Sequence, residues 1–426
     1  MAKAMVGDGV VRADRLRAQH PAGPARATRS GIAGLPATTV ARAASTCPIP
    51  MEALEASTLD VTEAMTLPPE CYTSPVFYEF EKEAIFYREW LCLGRAEQIP
   101  NPGDYLALTI ANEPLVVVRD TKNQVSAMSA VCRHRGTVIA EGAGNCGRAL
   151  RCPYHWWTYD LHGQLIGAPG MAQTNGFDKR GIRLPPLKVE LWNGFIFANF
   201  DENAGPLAPR LLDLGRLLAN YRLADLMTTP PDVLPDLPFN WKIMMENGVE
   251  PYHAPFLHSK YVPSRQDETL SSFAATDDSG AIVSQIDIPV PDVGVNPSYR
   301  CYFPRIETLT EQERSRFSFA TVPPNLMLGW QADLLFWFLL LPNAPDKVTL
   351  QWAYCVPEST LRLPMFDDLL DLTKQGIEVF NRQDFPINTS IQKGYGSRFA
   401  SRGRYSNQEL VLVQINRWLV KRYREC

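Results

Sequence analysis

Two short segments, Cys132-x-His134 and Cys152-x-x-His155, constrain what this 426-residue chain can fold into more than any other feature. Seventeen residues separate His134 from Cys152, so two thiolates and two imidazoles can converge from two loops. Softness and ligand count fit two kinds of centre. A [2Fe–2S] cluster can be held by two cysteines on one iron and two histidines on the other, and the neutral imidazoles then raise its potential to roughly −150 to +300 mV. Structural zinc is the alternative, because Cys2His2 is also a zinc set. Zinc-finger spacing pairs Cys with Cys and His with His. Here each loop supplies one of each, which suits a cluster with one sulfur-held and one nitrogen-held iron.

Length and a 45% hydrophobic content allow two domains, each with its own core. The net charge of −4 gives no electrostatic case for nucleic acid. The longest strongly apolar run, Leu334 to Leu341, is too short for a membrane span of about 20 residues and reads as a buried strand. Nine cysteines in no paired framework fit a reducing cytosol, so a cytoplasmic protein is expected. Only six histidines are present, and His20 and His162 are left over once four are given to metals.

Residues 1–50 carry seven basic side chains against Asp8 and Asp14 and no hydrophobic period, so a disordered arm is expected over 1–65. Initiation upstream of a natural start at Met51 is favoured over an organellar transit peptide. Ser74 to Trp90 spaces Phe77, Phe80, Ile85, Phe86 and Trp90 as one amphipathic helix, within a segment 66–90 expected to pack on the C-terminal domain at 204–426. Tyr105 to Val118 reads as a hairpin, and Gln124–Val131 and Trp192–Asn199 as further strands. An all-β unit is therefore expected at 91–203, closed by a linker at 201–209.

The second dense site is Asn240 to His258. On a helix Glu246, Glu250 and His253 share one face, whereas His258 is rotated about 140° from His253. Pro255 should end the helix near His253 and let the chain turn His258 back beside it. Gly248 and Pro251 predict a kinked or unwound stretch just before. Between Met365 and Gln383 a stripe of apolar residues puts Asp384 on the buried face of another helix, where a carboxylate needs a cation. Two histidines and one carboxylate make the facial triad of non-haem Fe(II) oxygenases, with positions open for dioxygen. Pro386 predicts a bend in this helix.

The segments VCRHRGTVIAEGAGN and RCPYHWWTYDLHGQLIG closely resemble the Rieske non-haem iron oxygenases, specifically their terminal oxygenase α subunits. That family's iron motif, acid-x-Tyr-His-x4-His, is matched by Glu250, Tyr252, His253 and His258, and its later Asp before Gln-x-Gly by Asp384, Gln392 and Gly394. Trp156 departs from it, standing where a small residue is usual. The resemblance implies an α+β protein: an all-β Rieske [2Fe–2S] domain on Cys132, His134, Cys152 and His155, then a helix-grip-like catalytic domain at 204–426 with a long antiparallel sheet covered by helices. It implies mononuclear Fe(II) on His253, His258 and Asp384, and Glu250 as the acid linking that iron to a Rieske cluster. A homotrimer is implied, with a β subunit as an open possibility.

No GxGxxG fingerprint occurs, so electrons should come from a separate NAD(P)H-dependent reductase or ferredoxin. The expected substrate is small and aromatic, with a quaternary amine of the choline, carnitine or betaine type as the alternative. A Rieske electron carrier without catalysis is the alternative of another class. Phe319, Trp330, Phe336, Phe338, Trp352 and Tyr354 are the aromatics expected inside the catalytic sheet.

Overall fold

Type I′ turns, which need two left-handed residues, set the register of the first sheet. Ala111-Asn112 (φ 50° and 68°) joins β2 (Asp104–Ile110) to β3 (Glu113–Arg119), and Asn193-Gly194 (φ 45° and 88°) joins β9 (Pro186–Trp192) to β10 (Phe195–Asn199). With β1 (Leu91–Arg95), β4 (Val125–Ser129) and β5 (Ala143–Asn145) they form a seven-stranded sheet in the order β1-β10-β9-β4-β3-β2-β5. A separate small sheet of β6 (Ala149–Arg151), β7 (Thr158–Asp160) and β8 (Leu165–Gly167) carries the second Cys/His loop at its first hairpin.

The computed structural model describes residues 46–261, 271–273 and 280–426, and these described residues belong to one compact unit. His20 and most of the expected arm lie outside the described residues. From residue 46 onward the arm expectation needs correcting. Helix α1 (Met51–Glu55) buries Leu54 fully, and Arg402 donates to Thr66 O (2.6 Å) and Ser57 Oγ (2.8 Å), so this stretch is fixed by the C-terminal segment. The expected helix over 74–90 is α2 (Pro75–Glu81), capped by the Ser74 hydroxyl. It runs into a wider π turn over Lys82–Phe86 and stops there, leaving Trp90 outside it.

The second sheet is antiparallel and contains β11 (Leu226–Thr228), β12 (Asp232–Leu237), β13 (Ser271–Phe273), β14 (Ile282–Asp287), β15 (Arg316–Val322), β16 (Leu326–Trp330), β17 (Leu335–Ala344) and β18 (Lys347–Pro357). Its order is β11-β18-β17-β16-β15-β14-β13, with β12 also paired to β18. The apolar run Leu334–Leu341 is indeed interior strand, buried throughout. Around it stand α3 (Trp241–Asn247), the single turn α4 (Ala254–Leu257), the 30-residue α5 (Phe366–Tyr395) and α6 (Leu410–Glu425). Helix α5 stays helical through Pro386.

The core is not divided one per domain. The larger apolar cluster joins β1 and β10 of the first sheet to the whole second sheet, α3 and α6, while a smaller cluster surrounds Cys132 and Cys152. At the junction Asn325 exchanges two hydrogen bonds with the Cys92 backbone, at 2.9 and 2.8 Å. Beneath α2 a buried ion pair joins Lys242 Nζ to Glu81 (2.8 and 2.9 Å), and Tyr423 Oη also donates to Glu81. A charge pair removed from water needs such extra donors to hold, and here it ties α2, α3 and α6 together.

Candidate metal centres

The two Cys/His loops have the same backbone. In the first, Cys132 N–H donates to Thr137 O (2.9 Å) and Gly136 N–H to Cys132 O (3.0 Å). In the second, Cys152 N–H donates to Trp157 O (2.9 Å) and Trp156 N–H to Cys152 O (3.1 Å). The fifth residue of each loop is left-handed: Gly136 at φ 75°, and Trp156 at φ 59°. Glycine takes that conformation freely, whereas a residue with a Cβ is strained in it. The Trp156 indole projects outward, 60% exposed, with the Arg151 guanidinium 5.2 Å above its ring.

The His134 and His155 rings stand 4.7 Å apart at 73°, with His134 stacked on Trp157. His155 Nδ1 is buried and has no hydrogen-bond partner, which is the condition of a nitrogen reserved for a metal. Tyr159 Oη lies 3.3 Å from Cys132 Sγ and accepts the Arg133 N–H at 3.0 Å, so its proton is free for the sulfur. Among the described residues only His253, His258 and Asp384 form a group of three or more donors whose ligand atoms all lie within 4.8 Å of one another. The Cys132, His134, Cys152 and His155 donors do not close on one point, as a zinc ion requires, and the two-iron cluster is the group they fit.

The second centre is tighter. Nε2 of His253 lies 3.7 Å from Asp384 Oδ1, Nε2 of His258 lies 3.3 Å from the same oxygen, and the rings cross at 78° with centroids 5.1 Å apart. The unwinding expected at Gly248 and Pro251 is present, so Glu250 and His253 do not continue the helix that carries Glu246. Helix α3 ends at Asn247, residues 248–253 are irregular, and His253 caps α4. Pro255 therefore starts a helical turn rather than ending one, which proline does readily in a first turn because no N–H is needed there. That turn is what returns His258 to His253.

Each imidazole is oriented through its far nitrogen. His253 Nδ1 meets Glu250 Oε1, and Glu250 Oε2 accepts the His253 backbone N–H at 3.2 Å. His258 Nδ1 lies 3.0 Å from Gln383 Oε1, and Gln383 Nε2 donates to Leu257 O at 3.0 Å. The second bond fixes which end of the amide faces the ring. His258 Nδ1 is therefore the protonated nitrogen, and its Nε2 lone pair points at Asp384. Burial pushes the His253 proton affinity down, but the hydrogen bond and charge of Glu250, with Asp384, more than offset this and raise its pKa. Glu246 stands apart. It accepts from Tyr72 Oη at 2.6 Å, and burial pushes its pKa up to about 7.

Beside the triad lies a cavity of about 160 Å³ walled by Tyr299, Phe317, Phe319, Phe336, Phe338 and Phe380. A cavity near 150 Å³ with apolar walls holds a benzene-sized guest. Gly329 stands opposite Phe336 in register, and a Cβ there would collide with that ring; its absence lets the ring lie flat on the sheet. Of the six aromatics expected inside, Trp330, Trp352 and Tyr354 are not among the described lining residues. His162 sits in a turn near Ser126 and Asp120, away from either centre. Sequence reasoning missed Gln383, Tyr159 and Ser284. Gln383 carried a signal in its place directly before Asp384, but the other two become visible only with strand pairing.

Residues 89–183 match the family described as Rieske [2Fe-2S] domain, and residues 224–425 match the ring hydroxylating alpha subunit (catalytic domain). The chain is 34% identical to the carnitine monooxygenase oxygenase subunit of Acinetobacter pittii over 210 residues, 48% of this chain and 55% of the relative. It is 27% identical to the chloroplastic choline monooxygenase of Atriplex hortensis over 357 residues, 80% of this chain and 74% of the relative. The chain thus spans about half the length of the first of these curated relatives. Among solved structures, a quaternary ammonium Rieske monooxygenase in complex with an inhibitor superposes with a TM-score of 0.71 at 25% identity, covering 88% of this chain and 98% of the other. Naphthalene 1,2-dioxygenase from Rhodococcus sp. bound to indole gives 0.71 at 23% identity, over 88% and 96%, a likeness of fold.

Proposed function

The chain belongs to the Rieske non-haem iron oxygenase α subunits, with a Rieske cluster domain and a mononuclear iron domain, and from that membership we propose that it hydroxylates a small quaternary ammonium compound. The overall step is R–H + O2 + 2e− + 2H+ giving R–OH + H2O, with the electrons drawn from a separate NAD(P)H-dependent reductase or ferredoxin. The observation that carries the substrate class is the aromatic cavity beside His253, His258 and Asp384: ring faces attract a quaternary cation without a counter-ion. The curated relatives act in the same direction. The aromatic substrate expected from the sequence becomes the second reading, favoured only by the apolar character of the same walls.

Cys132 and Cys152 would hold one iron of the cluster and His134 and His155 the other. Iron on His253, His258 and Asp384 would supply dioxygen activation when bound. The rest is done by the chain. Glu250 holds the His253 ring by Nδ1, Gln383 holds His258, and the phenylalanines exclude water from the C–H bond to be oxidised. His134 is exposed and His253 half-buried, so each centre keeps an edge through which electrons could enter. A ring of three chains, in which the cluster of one serves the iron of the next through Glu250, is the assembly we favour.

Incubation with a reductase, NADH and O2 against choline, carnitine, glycine betaine and benzoate tests the reading. Hydroxylation confined to benzoate would overturn it. Iron and acid-labile sulfide should be found at three to two, whereas an electron carrier would give two to two. Glu250→Gln keeps an acceptor for His253 Nδ1 but removes the charge, and it should retain both centres at that ratio and still slow product formation by at least tenfold, the scale on which such partners act.

A further inference from the structure

Ser284 lies on β14 in register with Phe319, and strand alternation puts it on the cavity side with Ile286. It is 1% exposed, and its Oγ has no hydrogen-bond partner although it lines the cavity. A buried hydroxyl left unpaired is costly, so the group is a donor waiting for an acceptor. Two other polar groups of the lining are engaged elsewhere: Asn296 donates to Arg300 O at 2.7 Å and accepts from Ser298 N at 2.9 Å, and Asn247 faces Asp384 at 3.5 Å. No lysine or arginine is among the described lining residues.

We propose that Ser284 is a specificity-determining residue whose hydroxyl bonds an uncharged oxygen of the substrate, so that the cavity prefers a small quaternary ammonium alcohol to its oxygen-free counterpart. The cationic half of this inference rests on the function proposed above; the serine half does not. Thr321 provides an internal control. Its Oγ1 is also buried and unpaired, but it is not among the described lining residues.

Isothermal titration of the iron-loaded protein would use two ligand pairs, choline with ethyltrimethylammonium and benzyl alcohol with toluene. In the wild type the oxygen-bearing member should bind tighter. Ser284→Ala should weaken that member by about five- to tenfold, the worth of one hydrogen bond, and leave its partner within about twofold. The same variant should not lower Tm, because no bond exists in the free protein, and Thr321→Val should leave the preference intact. Equal weakening of both members, a lowered Tm in Ser284→Ala, or no preference in the wild type would overturn the role of Ser284. Preference shown only within the aromatic pair would overturn the quaternary ammonium reading while upholding the serine. Binding of neither pair would count against both.

Discussion

Gln383 shows how much a neutral side chain can decide beside a metal. Its amide is committed at one end to Leu257 O, so its other end can only accept from His258 Nδ1. Removing such an orienting partner typically costs 10–100-fold in metal affinity. Gln383→Leu should therefore bind Fe(II) about tenfold or more weakly, read by competition with a colorimetric chelator, while the iron and sulfide of the Rieske cluster stay in place. Retention of full Fe(II) affinity would show that α5 holds the ring without this amide. The proposed ligands Asp384, His253 and His258 were legible in the sequence because they are the residue types the chemistry needs, and the fold brings their ligand atoms within 4.8 Å of one another. Gln383 was marked only by its place directly before Asp384, and Tyr159 and Ser284 were not marked at all, since their roles come from which neighbour they meet across a strand pair or a helix packing.

At the scale of elements, the matched backbone of the two cluster loops sets a test. Trp156 occupies the left-handed position that Gly136 fills in the first loop. That conformation costs a residue bearing a Cβ roughly 1–2 kcal/mol, and the exposed contact with Arg151 returns about 0.5–1 kcal/mol. Trp156→Gly should thus raise the unfolding free energy by about 0.5–1 kcal/mol, seen as a higher Tm with the cluster spectrum unchanged. A lower Tm would mean that the indole is held by more than one guanidinium. The hairpin over Tyr105 to Val118 and the apolar strand followed from periodicity and turn chemistry, whereas Trp192 to Asn199, read as one strand, contains the Asn193-Gly194 turn of a second hairpin. The break at Gly248 to Pro251 followed as well, but the helical turn that begins at Pro255 did not. Proline marks a place where the hydrogen-bond ladder is interrupted, and whether that starts a turn, as at Pro255, or is absorbed within a long helix, as at Pro386, depends on what packs around it.

For the molecule as a whole, Glu246 links pH to stability. Its carboxyl is held by Tyr72 inside the packing of α3, and burial raises its pKa from 4.5 to about 7. A carboxyl raised in the folded state binds its proton more tightly there than in the unfolded chain, so stability is greatest below pH 4.5 and is lost as pH rises through 7. Glu246→Gln keeps an acceptor for Tyr72 and cannot ionise. Its advantage over the wild type should be small at pH 4.5 and grow to about 2–3 kcal/mol above pH 7, measured by urea unfolding at both pH values. An advantage independent of pH would show that the carboxyl is neutral or charged alike in both states.

The larger apolar cluster runs without interruption from β1 and β10 into the catalytic sheet, stitched by Asn325 to Cys92. In the proposed function, the half that would store charge and the half that would use it share this core and should therefore melt together. A misfolded copy would lose both capacities together, and would not linger as a reduced cluster leaking electrons to oxygen with no substrate to receive them.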